Sequence, residues 1–374
     1  MRSRYHADMA CRRLLLAGFI GMTFTACNSP TRSPDGSSNK DAGGILSTGG
    51  ASGGATAGAS GGLADTGGSG GATNDTGTFA EVGGTATGPN CLGLSATCGP
   101  FGNESCCASL TVPGGIFYRG YDGISPYNQM SYPASVSTFA LDKYEVTVGR
   151  YRAFVAAKMA TSSNPPAAGA GAHPLIPGSG WNPIWNFLFD SETIGMRSPG
   201  ETWTDGIGPN ENLPMNCVPW YKAFAFCVWD GGRLPTEAEW NYAAAGGDEQ
   251  REYPWGSAAP DTSLAVFNCQ AVGDAGCALT DLLPVGSKPA GNGKYGHADL
   301  AGSLWELVLD QYGTYVVPCS DCAAVPTDVY PKPVHRGGSY ENAAGVIRTA
   351  VARLDGSVLQ QTSDLGFRCA RAAQ

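Results

Sequence analysis

Histidine is scarce in this sequence, with four residues in 374, and one of the four, His6, lies close to the N-terminus. The others are His173, His297 and His335, and no two of them have the spacing of a metal-binding pair. The HExxH pattern of zinc proteases is absent. We therefore do not expect a histidine-rich metal centre.

Charged residues are also few, at 15% of the chain, and basic residues are the scarcer kind, 23 against 32 acidic. Removal of residues 1–26, a predicted signal peptide, takes away four arginines and one aspartate. It leaves 19 basic and 31 acidic residues and a net charge of about −12. Nucleic acid binding needs a basic face against the phosphates, so the composition argues against a nucleic acid partner.

Long apolar runs are missing too, since the run from Leu14 to Thr25 is too short for a permanent membrane helix. It follows an arginine pair and precedes small residues, which predicts a secretory signal peptide at residues 1–26. The stretch FTAC resembles a bacterial lipobox, in which Cys27 carries the lipid. Phe24 is unusual there, so cleavage without lipidation is the alternative. We expect an exported protein of the outer cell envelope or the extracellular space, which contacts the membrane only through a lipid anchor.

Residues 28–90 are rich in glycine, serine and alanine. Of the 54 glycines in the chain, 18 lie between residues 36 and 88. Such a segment has too little apolar surface to offset its ordering entropy, which predicts a flexible tether. Folded structure is expected to begin near Cys91.

Cysteine is plentiful, because eleven of the thirteen remain after Cys11 and Cys27 are set aside. In an exported protein this predicts a disulfide framework with at least one thiol left over. The segment 91–109 holds four of them, and we expect two local bridges of unknown pairing, with a metal clip as the alternative. The CSDC motif, Cys319 to Cys322, favours a local bridge over a redox site, because no thioredoxin-like βαβ pattern surrounds it.

Helix signals are few. Thr147 can cap a first helix whose apolar face extends to Val155. The stretch VPWYKAFAFCVWDGG predicts a second helix, with Pro219 in its first turn. In RLPTEAEWNYAAAGG, Thr236 and Glu239 have the spacing of a capping box, which predicts the start of a third helix.

Strand signals are short and separated by glycine-rich turns, as in LTVPGGIFYRG, VHRGGSY and the final LGFRCAR. Few helices, many aromatic residues and the lack of a βαβ repeat predict an irregular α+β domain over residues 110–374. A long insertion at about 160–213 carries Trp181, Trp185 and Trp203. We expect most of these tryptophans in the core, and the alternative is that they line a groove.

Six blocks of the sequence occur in the order and rough spacing of one known family: DKYEVTVGRYRAFV, CVPWYKAFAFCVWDGGRLPTEAEWNYAAAGG, YPWG, GHADLAGSLWELVLD, RGGSY and GFRCAR. Over about residues 110–372 the chain resembles the sulfatase-modifying factor family, that of the formylglycine-generating enzyme. The resemblance implies a C-type-lectin-like fold with little regular structure and with bound calcium.

The enzyme of this family oxidises a cysteine of an unfolded sulfatase to formylglycine, using molecular oxygen and a copper(I) ion held by two cysteine thiolates. Thiolates are the soft ligands that copper(I) prefers. The corresponding positions here are Asn342 and, near the second, Ile347, and no cysteine lies between residues 339 and 353. Copper and cysteine oxidation are therefore not expected. Other positions of the family cleft are present: Trp305, Ser339, Tyr340 and Arg348.

The resemblance also implies two calcium sites of hard oxygen ligands. The first set comprises Asn268, the Cys269 carbonyl, Asp274 and the Gly276 carbonyl. The second comprises Asp299, the Gly302 and Leu304 carbonyls, and Glu306. The alternative is that these acids only cap loops.

A disulfide between Cys227 and Cys369 is a further implication of the resemblance. Cys269 with Cys277, and Cys319 with Cys322, are plausible local pairs, which leaves Cys217 as the candidate odd thiol.

Together these features favour a non-catalytic domain that binds an extended peptide or another cell-surface ligand. The ligand would lie in the family cleft, lined by Trp305, Ser339, Tyr340, Asn342 and Arg348. One alternative is an oxygen-dependent oxidase of the formylglycine-generating type, with unconventional metal ligands. Another is a structural component of the cell envelope.

Overall fold

The structure is a computed structural model of the 374-residue chain, and it describes residues 89–91, 94–189, 200–269, 277–353 and 356–373. The predicted signal peptide, the lipidation site Cys27 and the tether up to residue 88 lie outside the described residues. Within those ranges, no helix has both the length and the apolar character needed to cross a membrane.

The helices of the described ranges are short. The α-helices are α1 Val148–Ala156, α2 Trp220–Trp229 and α3 Glu237–Ala244. Short 3-10 helices occur at Pro89–Cys91, Pro183–Phe189, Pro209–Asn212, Gly247–Glu249, Leu279–Asp281 and Pro289–Gly291.

The strands are also short, and most have four residues or fewer. In chain order they are β1 Ala96–Cys98, β2 Glu104–Ser105, β3 Ser109–Val112, β4 Gly115–Tyr118, β5 Pro133–Val136, β6 Phe139–Asp142, β7 Trp305–Gln311, β8 Cys319–Ser320, β9 Pro333–Arg336, β10 Ala352–Arg353, β11 Leu365–Gly366 and β12 Ala370–Ala372.

These strands form four small sheets. The largest has the order β10-β9-β7-β11, in which β9 runs antiparallel and β11 parallel to the central β7. A second sheet, β12-β6-β3, is antiparallel throughout. The third has the order β4-β5-β8, and β1 and β2 form a separate pair. Three short helices and four small sheets in the described residues agree with the predicted irregular α+β domain.

The stretch LGFRCAR, predicted as one final strand, is divided between two sheets. Leu365 pairs with Trp305 in the first sheet, and Ala370 pairs with Leu141 in the second. Between them, Arg368 is fully buried. One extended segment thus joins both sheets, which a sequence pattern with a single period does not reveal.

The predicted helix caps are confirmed. Thr147 Oγ1 accepts the N–H of Arg150 at the start of α1 (3.3 Å). Thr236 and Glu239 form the reciprocal capping box of α3, because each side chain accepts the other residue's N–H (3.1 and 2.9 Å). Val155 was wrongly assigned to the inner face of α1, since it is 46% exposed.

Arg150 takes a buried place on α1 instead. It is 2% exposed and pairs with Asp142 (2.8 Å) and Asp230 (2.7 Å). A charged residue can lie inside the domain because its ion pairs and hydrogen bonds offset the loss of water. Hydrophobic periodicity alone therefore predicted the wrong residues for the buried face of α1.

An aromatic cluster forms the main core. Trp181 and Trp185 of the long insertion are both 1% exposed and pack edge-to-face with Phe224 and Trp220 of α2, respectively. This confirms two of the three core tryptophans. Trp203 is only partly buried, and the guanidinium of Arg152 lies over its ring (4.5 Å).

Candidate functional site

The RGGS stretch leads from β9 into a turn that closes on itself. The N–H and the hydroxyl of Ser339 donate to Asn342 Oδ1 (2.9 and 3.1 Å), and the N–H of Asn342 donates to the Ser339 carbonyl (3.0 Å). Gly338 has a φ of 72°, and a Cβ there would lie 2.7 Å from Ile347 Cγ2, so this position needs glycine. The amide at the first predicted copper-ligand position is therefore a structural part of its own turn.

The second predicted ligand position, Ile347, is fully buried. Its side chain packs in a cluster with Tyr253, Ala265, Phe267 and Ala301. An aliphatic side chain in such a cluster has no atom that coordinates a metal.

The cysteines of the described ranges are paired except for one. The bridges are Cys91–Cys107, Cys98–Cys106, Cys227–Cys369, Cys269–Cys277 and Cys319–Cys322. The predicted pairing of Cys227 with Cys369 is thus present, and the four cysteines of residues 91–109 form two bridges rather than a metal clip. Cys217 is free and buried.

Cys217 lies in surroundings that disfavour a thiolate. Burial raises the pKa of its thiol to about 12, and the charges of Glu201 and Asp364 add to the shift. A copper-binding cysteine needs the opposite, an environment that stabilises the anion. One protonated thiol does not provide the two thiolates that copper(I) requires.

Two of the predicted cleft residues, Trp305 and Tyr340, lie beside the segment 362–364. The N–H of Trp305 donates to the Asp364 carbonyl (2.8 Å), and the N–H of Cys217 donates to the Thr362 carbonyl (3.3 Å). The N–H of Tyr340 donates to the Ser303 carbonyl (2.8 Å), which holds the turn against the approach to β7. Burial raises the pKa of Tyr340, so its hydroxyl stays protonated at neutral pH.

Arg348 has its partners in a different segment. Its guanidinium pairs with Asp122, donates to the Ile124 carbonyl (3.1 Å) and lies over the ring of Tyr127 (5.4 Å). The segment 122–127 contributes no other predicted cleft residue. The structure therefore gives Arg348 a role in holding this loop.

The second predicted calcium set lies in an acidic part of the interior. Glu306 is fully buried and accepts two hydrogen bonds from Arg368 (2.7 Å each) and one from Trp240 Nε1 (2.9 Å). Asp299 Oδ2 accepts the N–H of Gly286 (2.6 Å). The remaining members of the predicted calcium set are the backbone carbonyls of Gly302 and Leu304.

Glu145 is a third carboxylate here, which the sequence analysis did not single out. It is fully buried and accepts from Ser303 Oγ (2.8 Å) and from the N–H of Leu304 (3.0 Å). Burial raises its pKa well above the usual range, and repulsion from Asp299 and Glu306 adds to the shift. The sequence feature that could have indicated a buried Glu145 is its position between the apolar residues Tyr144 and Val146.

The electrostatics of this region fit a divalent cation. Burial likewise raises the pKa of Asp299, and Arg368 is the guanidinium that contacts the carboxylate group. Three carboxyl groups share one arginine here, and a bound Ca²⁺ would balance their charges if all three were ionised. Side chains alone do not make the site, since no group of three or more His, Cys, Asp or Glu in the described residues has metal-binding geometry. The carbonyls of Gly302 and Leu304 would have to contribute.

The first predicted calcium set is only partly described. Asn268 and Cys269 have positive φ values (52° and 57°), and their N–H groups donate to the carbonyls of Asn342 and Tyr340 (2.9 and 2.8 Å). Asp274 and Gly276 lie outside the described residues. This loop therefore contacts the RGGS turn, and the calcium site remains a prediction.

Comparison with known proteins decides the family. Residues 95–373 match the family model described as sulfatase-modifying factor enzyme 1-like domain. The chain belongs to this family. A protein of Bos taurus named inactive C-alpha-formylglycine-generating enzyme 2 is 30% identical over 302 residues, covering 73% of this chain and 90% of that protein. The formylglycine-generating enzyme of Thermomonospora curvata is 29% identical over 295 residues, covering 70% and 92%.

The family contains more than one activity. The hercynine oxygenase of Mycolicibacterium smegmatis is 27% identical over 279 residues, covering 68% of this chain and 59% of that protein. Because enzymes and a protein named inactive are all similar to this chain, membership alone does not decide whether it is catalytic.

The fold is shared with a solved structure. That of PvdO from Pseudomonas aeruginosa matches with a TM-score of 0.50 and 19% identity, covering 71% of this chain and 94% of the other. Together with the family match, this confirms the predicted formylglycine-generating-enzyme-like, C-type-lectin-like α+β fold.

Proposed function

We propose that this protein is a non-catalytic member of the family, exported to the cell envelope, which binds an extended peptide or another surface ligand in the family cleft. The proposal is based mainly on the residues at the two positions where the family enzyme has its copper ligands. Asn342 is used by its own turn and Ile347 is fully buried. The free thiol of the described residues is protonated at neutral pH, because its pKa is raised to about 12.

The cleft keeps groups that suit a peptide. Trp305 and Tyr340 are 4% and 2% exposed, so they support the cleft from within the core. The segment 362–364 beside them is tied in place by Asn216 Nδ2, which donates to the Ser363 carbonyl (2.8 Å). Glu341 is exposed next to this segment and accepts from Ser363 Oγ (3.4 Å). Glu341 is therefore a polar group on a well-supported backbone that a peptide can reach.

The experiment compares the protein with a variant in which the thiol pair is restored, Asn342→Cys with Ile347→Cys. Copper(I) is titrated into both proteins against a competing chelator, and a Cys-x-Pro-x-Arg peptide is assayed for aldehyde. We expect the original protein to bind no copper in the cleft and to form no aldehyde, whereas the double variant gains copper binding. Aldehyde formed by the original protein would overturn the proposal.

Binding is tested separately with an array of fluorescent extended decapeptides. We expect a subset to bind, and the exchange Glu341→Lys at the cleft margin to weaken that subset by roughly tenfold through reversal of a charge. The control is Tyr330→Ala, which removes an exposed aromatic ring outside the cleft. This variant should bind the peptides as the original protein does. An array without any bound peptide would contradict the peptide proposal.

An oxygenase with a histidine-held metal is the second candidate, because one relative is named hercynine oxygenase. The three described histidines do not support it, because they have separate partners. His173 Nε2 lies 3.4 Å from Glu239, and His297 Nε2 lies 3.2 Å from the Leu141 carbonyl. Burial lowers the pKa of His297 to about 3. Iron retained after purification, together with oxygen consumption, would support this candidate instead.

Calcium is proposed as a structural ion of the domain, held by Asp299, Glu306 and neighbouring carbonyls. Removal of calcium with a chelator should lower the melting temperature by several degrees, because a ligand that binds only the folded state stabilises it. Re-addition of Ca²⁺ should restore the melting temperature, and Mg²⁺ at the same concentration should not. Asp299→Asn should reduce the response. An unchanged melting temperature in chelator would contradict the proposal.

A further inference from the structure

A cavity of about 800 Å³ lies beside the loop that Arg348 holds, since Tyr127, which contacts Arg348, is part of its lining. It is bounded by the segment 119–132, by the end of β7 with the residues that follow it, and by β9 and β10. None of the predicted cleft or calcium residues lines it. Its volume is in the range of small-molecule sites.

Arg119 in the wall of this cavity is a buried cation that contacts no carboxylate of the described ranges, and Asp310 attracts it only from beyond ion-pair distance. It is 2% exposed, and it forms no ion pair with any acid of the described ranges. Its Nη groups donate to the Val316 carbonyl and to Cys322 Sγ (3.5 Å), and its Nε has no hydrogen-bond partner. A buried guanidinium normally has its charge balanced, because loss of water is costly.

The other buried arginines show this rule, since each pairs with an acid. They are Arg150, Arg233, Arg336, Arg348, Arg368 and Arg371. Arg119 is thus the exception, and it is the one that faces a cavity large enough for a ligand.

The two acids in the cavity wall are already engaged. Glu237 pairs with Arg336 and accepts the hydroxyl of Tyr315 (2.9 Å). Asp310 accepts the N–H groups of Glu237 (2.8 Å) and Ala324 (2.7 Å), and burial raises its pKa to about 7. At neutral pH Asp310 is only partly ionised, so its attraction to Arg119 balances that cation only in part, and the wall carries at least as much positive as negative charge. Such a wall favours an anionic group on the ligand.

Tyrosines provide the remaining surface. The guanidinium of Arg119 lies over Tyr315 (4.3 Å), and Tyr132 contacts Tyr315 edge-to-face (4.8 Å). Tyr312, also in the lining, is 52% exposed at the rim. The rim adds the amides and hydroxyls of Gln129, Ser131, Gln311 and Thr314.

This combination selects a ligand class. Aromatic faces pack against the C–H faces of a sugar ring, while amides and hydroxyls bond its hydroxyl groups. An aromatic or aliphatic acid would use Arg119 and the tyrosines but not the polar rim, and a neutral sugar would not use the charge of Arg119. We propose that the cavity binds an acidic sugar of the hexuronate type, with its carboxylate on Arg119 and its ring against Tyr315 and Tyr132.

The test uses the full-length protein and isothermal titration calorimetry with tri-galacturonate and a glucuronate oligosaccharide of similar length. The matched control ligand is the methyl ester of tri-galacturonate, which has the same rings without the charge. We expect one or both acids to bind, and the ester to bind at least about tenfold more weakly, because the charge-assisted pair to arginine is lost. Benzoate, a carboxylate without a sugar ring, should not bind measurably.

Variants locate the binding in this cavity. Arg119→Lys keeps the charge and loses the planar fork, and we expect about tenfold weaker binding of the acid. Tyr312→Ala removes an exposed ring at the rim, so the fold is spared and binding should weaken severalfold. Tyr330→Ala, which is 58% exposed and outside the cavity lining, is the matched control and should bind as the original. Failure of both acids to bind, equal affinity for acid and ester, or full affinity of Tyr312→Ala would overturn the proposal.

Discussion

Burial changes the chemistry of individual side chains in this domain. Cys217 and Asp310 are both almost enclosed, and in each case the loss of water favours the neutral form. The consequences for function differ. The neutral thiol of Cys217 cannot act as a soft metal ligand, whereas Asp310 in its neutral form can lie beside the cavity without repelling an anion.

Cys217 should be unreactive in the folded protein. With a pKa of about 12, only about one thiol in ten thousand is ionised at pH 8. A colourimetric thiol reagent should therefore detect almost none in the native state and one per chain from this domain in denaturant without reductant. Rapid reaction of the native protein, with Cys217→Ser as the control, would contradict the burial of this thiol.

Asp310 should make stability depend on pH. Its folded pKa of about 7 lies above the ordinary 3.8, so the folded state binds the proton more tightly than the unfolded state. The stability that this proton provides is fully present below pH 4 and is lost as pH rises through 7. Between pH 5 and pH 8 the free energy of unfolding should fall relative to that of Asp310→Asn by on the order of 1–3 kcal/mol.

Urea unfolding of both proteins at the two pH values measures this difference. A difference in unfolding free energy between the two proteins that stays constant from pH 5 to pH 8 would show that Asp310 does not titrate in that range.

At the scale of elements, disulfides replace long regular structure. Cys227 of α2 is bonded to Cys369, which lies between β11 and β12 and is 142 residues further along the chain. Cys319 and Cys322 are only three residues apart. The two bridges therefore constrain the unfolded chain to very different degrees.

Removal of the long bridge should cost more than removal of the short one. Replacing Cys227 and Cys369 together by alanine should lower the free energy of unfolding by on the order of 5 kcal/mol in the chain-entropy estimate. The matched double exchange of Cys319 and Cys322 should cost about 2 kcal/mol by the same estimate. Denaturant melts of both variants measure this, and equal losses would argue against a chain-entropy effect.

Some of these elements could be predicted because they depend on residues that are close together in the sequence. The caps of α1 and α3 depend on residues three positions apart, so their sequence spacing is sufficient evidence. The resemblance placed the RGGS turn and the Cys227–Cys369 bridge. The cavity could not be predicted, because Arg119 and Tyr315 are distant in sequence and meet only in the folded domain. Val155 was misplaced because ion pairs, which no hydrophobic pattern records, hold Arg150 inside.

At the scale of the whole molecule, the sequence predicts a lipid anchor and a flexible tether ahead of the folded domain. We propose that this arrangement holds the domain away from the membrane, so that its cleft and cavity can reach ligands in the surroundings.

The exchange Cys27→Ser tests the anchor. We expect the original protein in the membrane fraction and the variant in the soluble fraction, because lipidation provides the membrane affinity. Metabolic labelling with a fatty acid should mark only the original. A variant that still fractionates with membranes would contradict anchoring through Cys27.

The division of residues 365–372 between two sheets has a consequence for biosynthesis. Strand β7 takes a neighbour from this segment, and so does β6, so both sheets lack an edge strand while a ribosome has yet to synthesise it. Cys227 likewise has no partner until Cys369 emerges. The domain therefore cannot complete its fold until residues 365–372 have been synthesised, because both sheets and the long disulfide depend on this one segment.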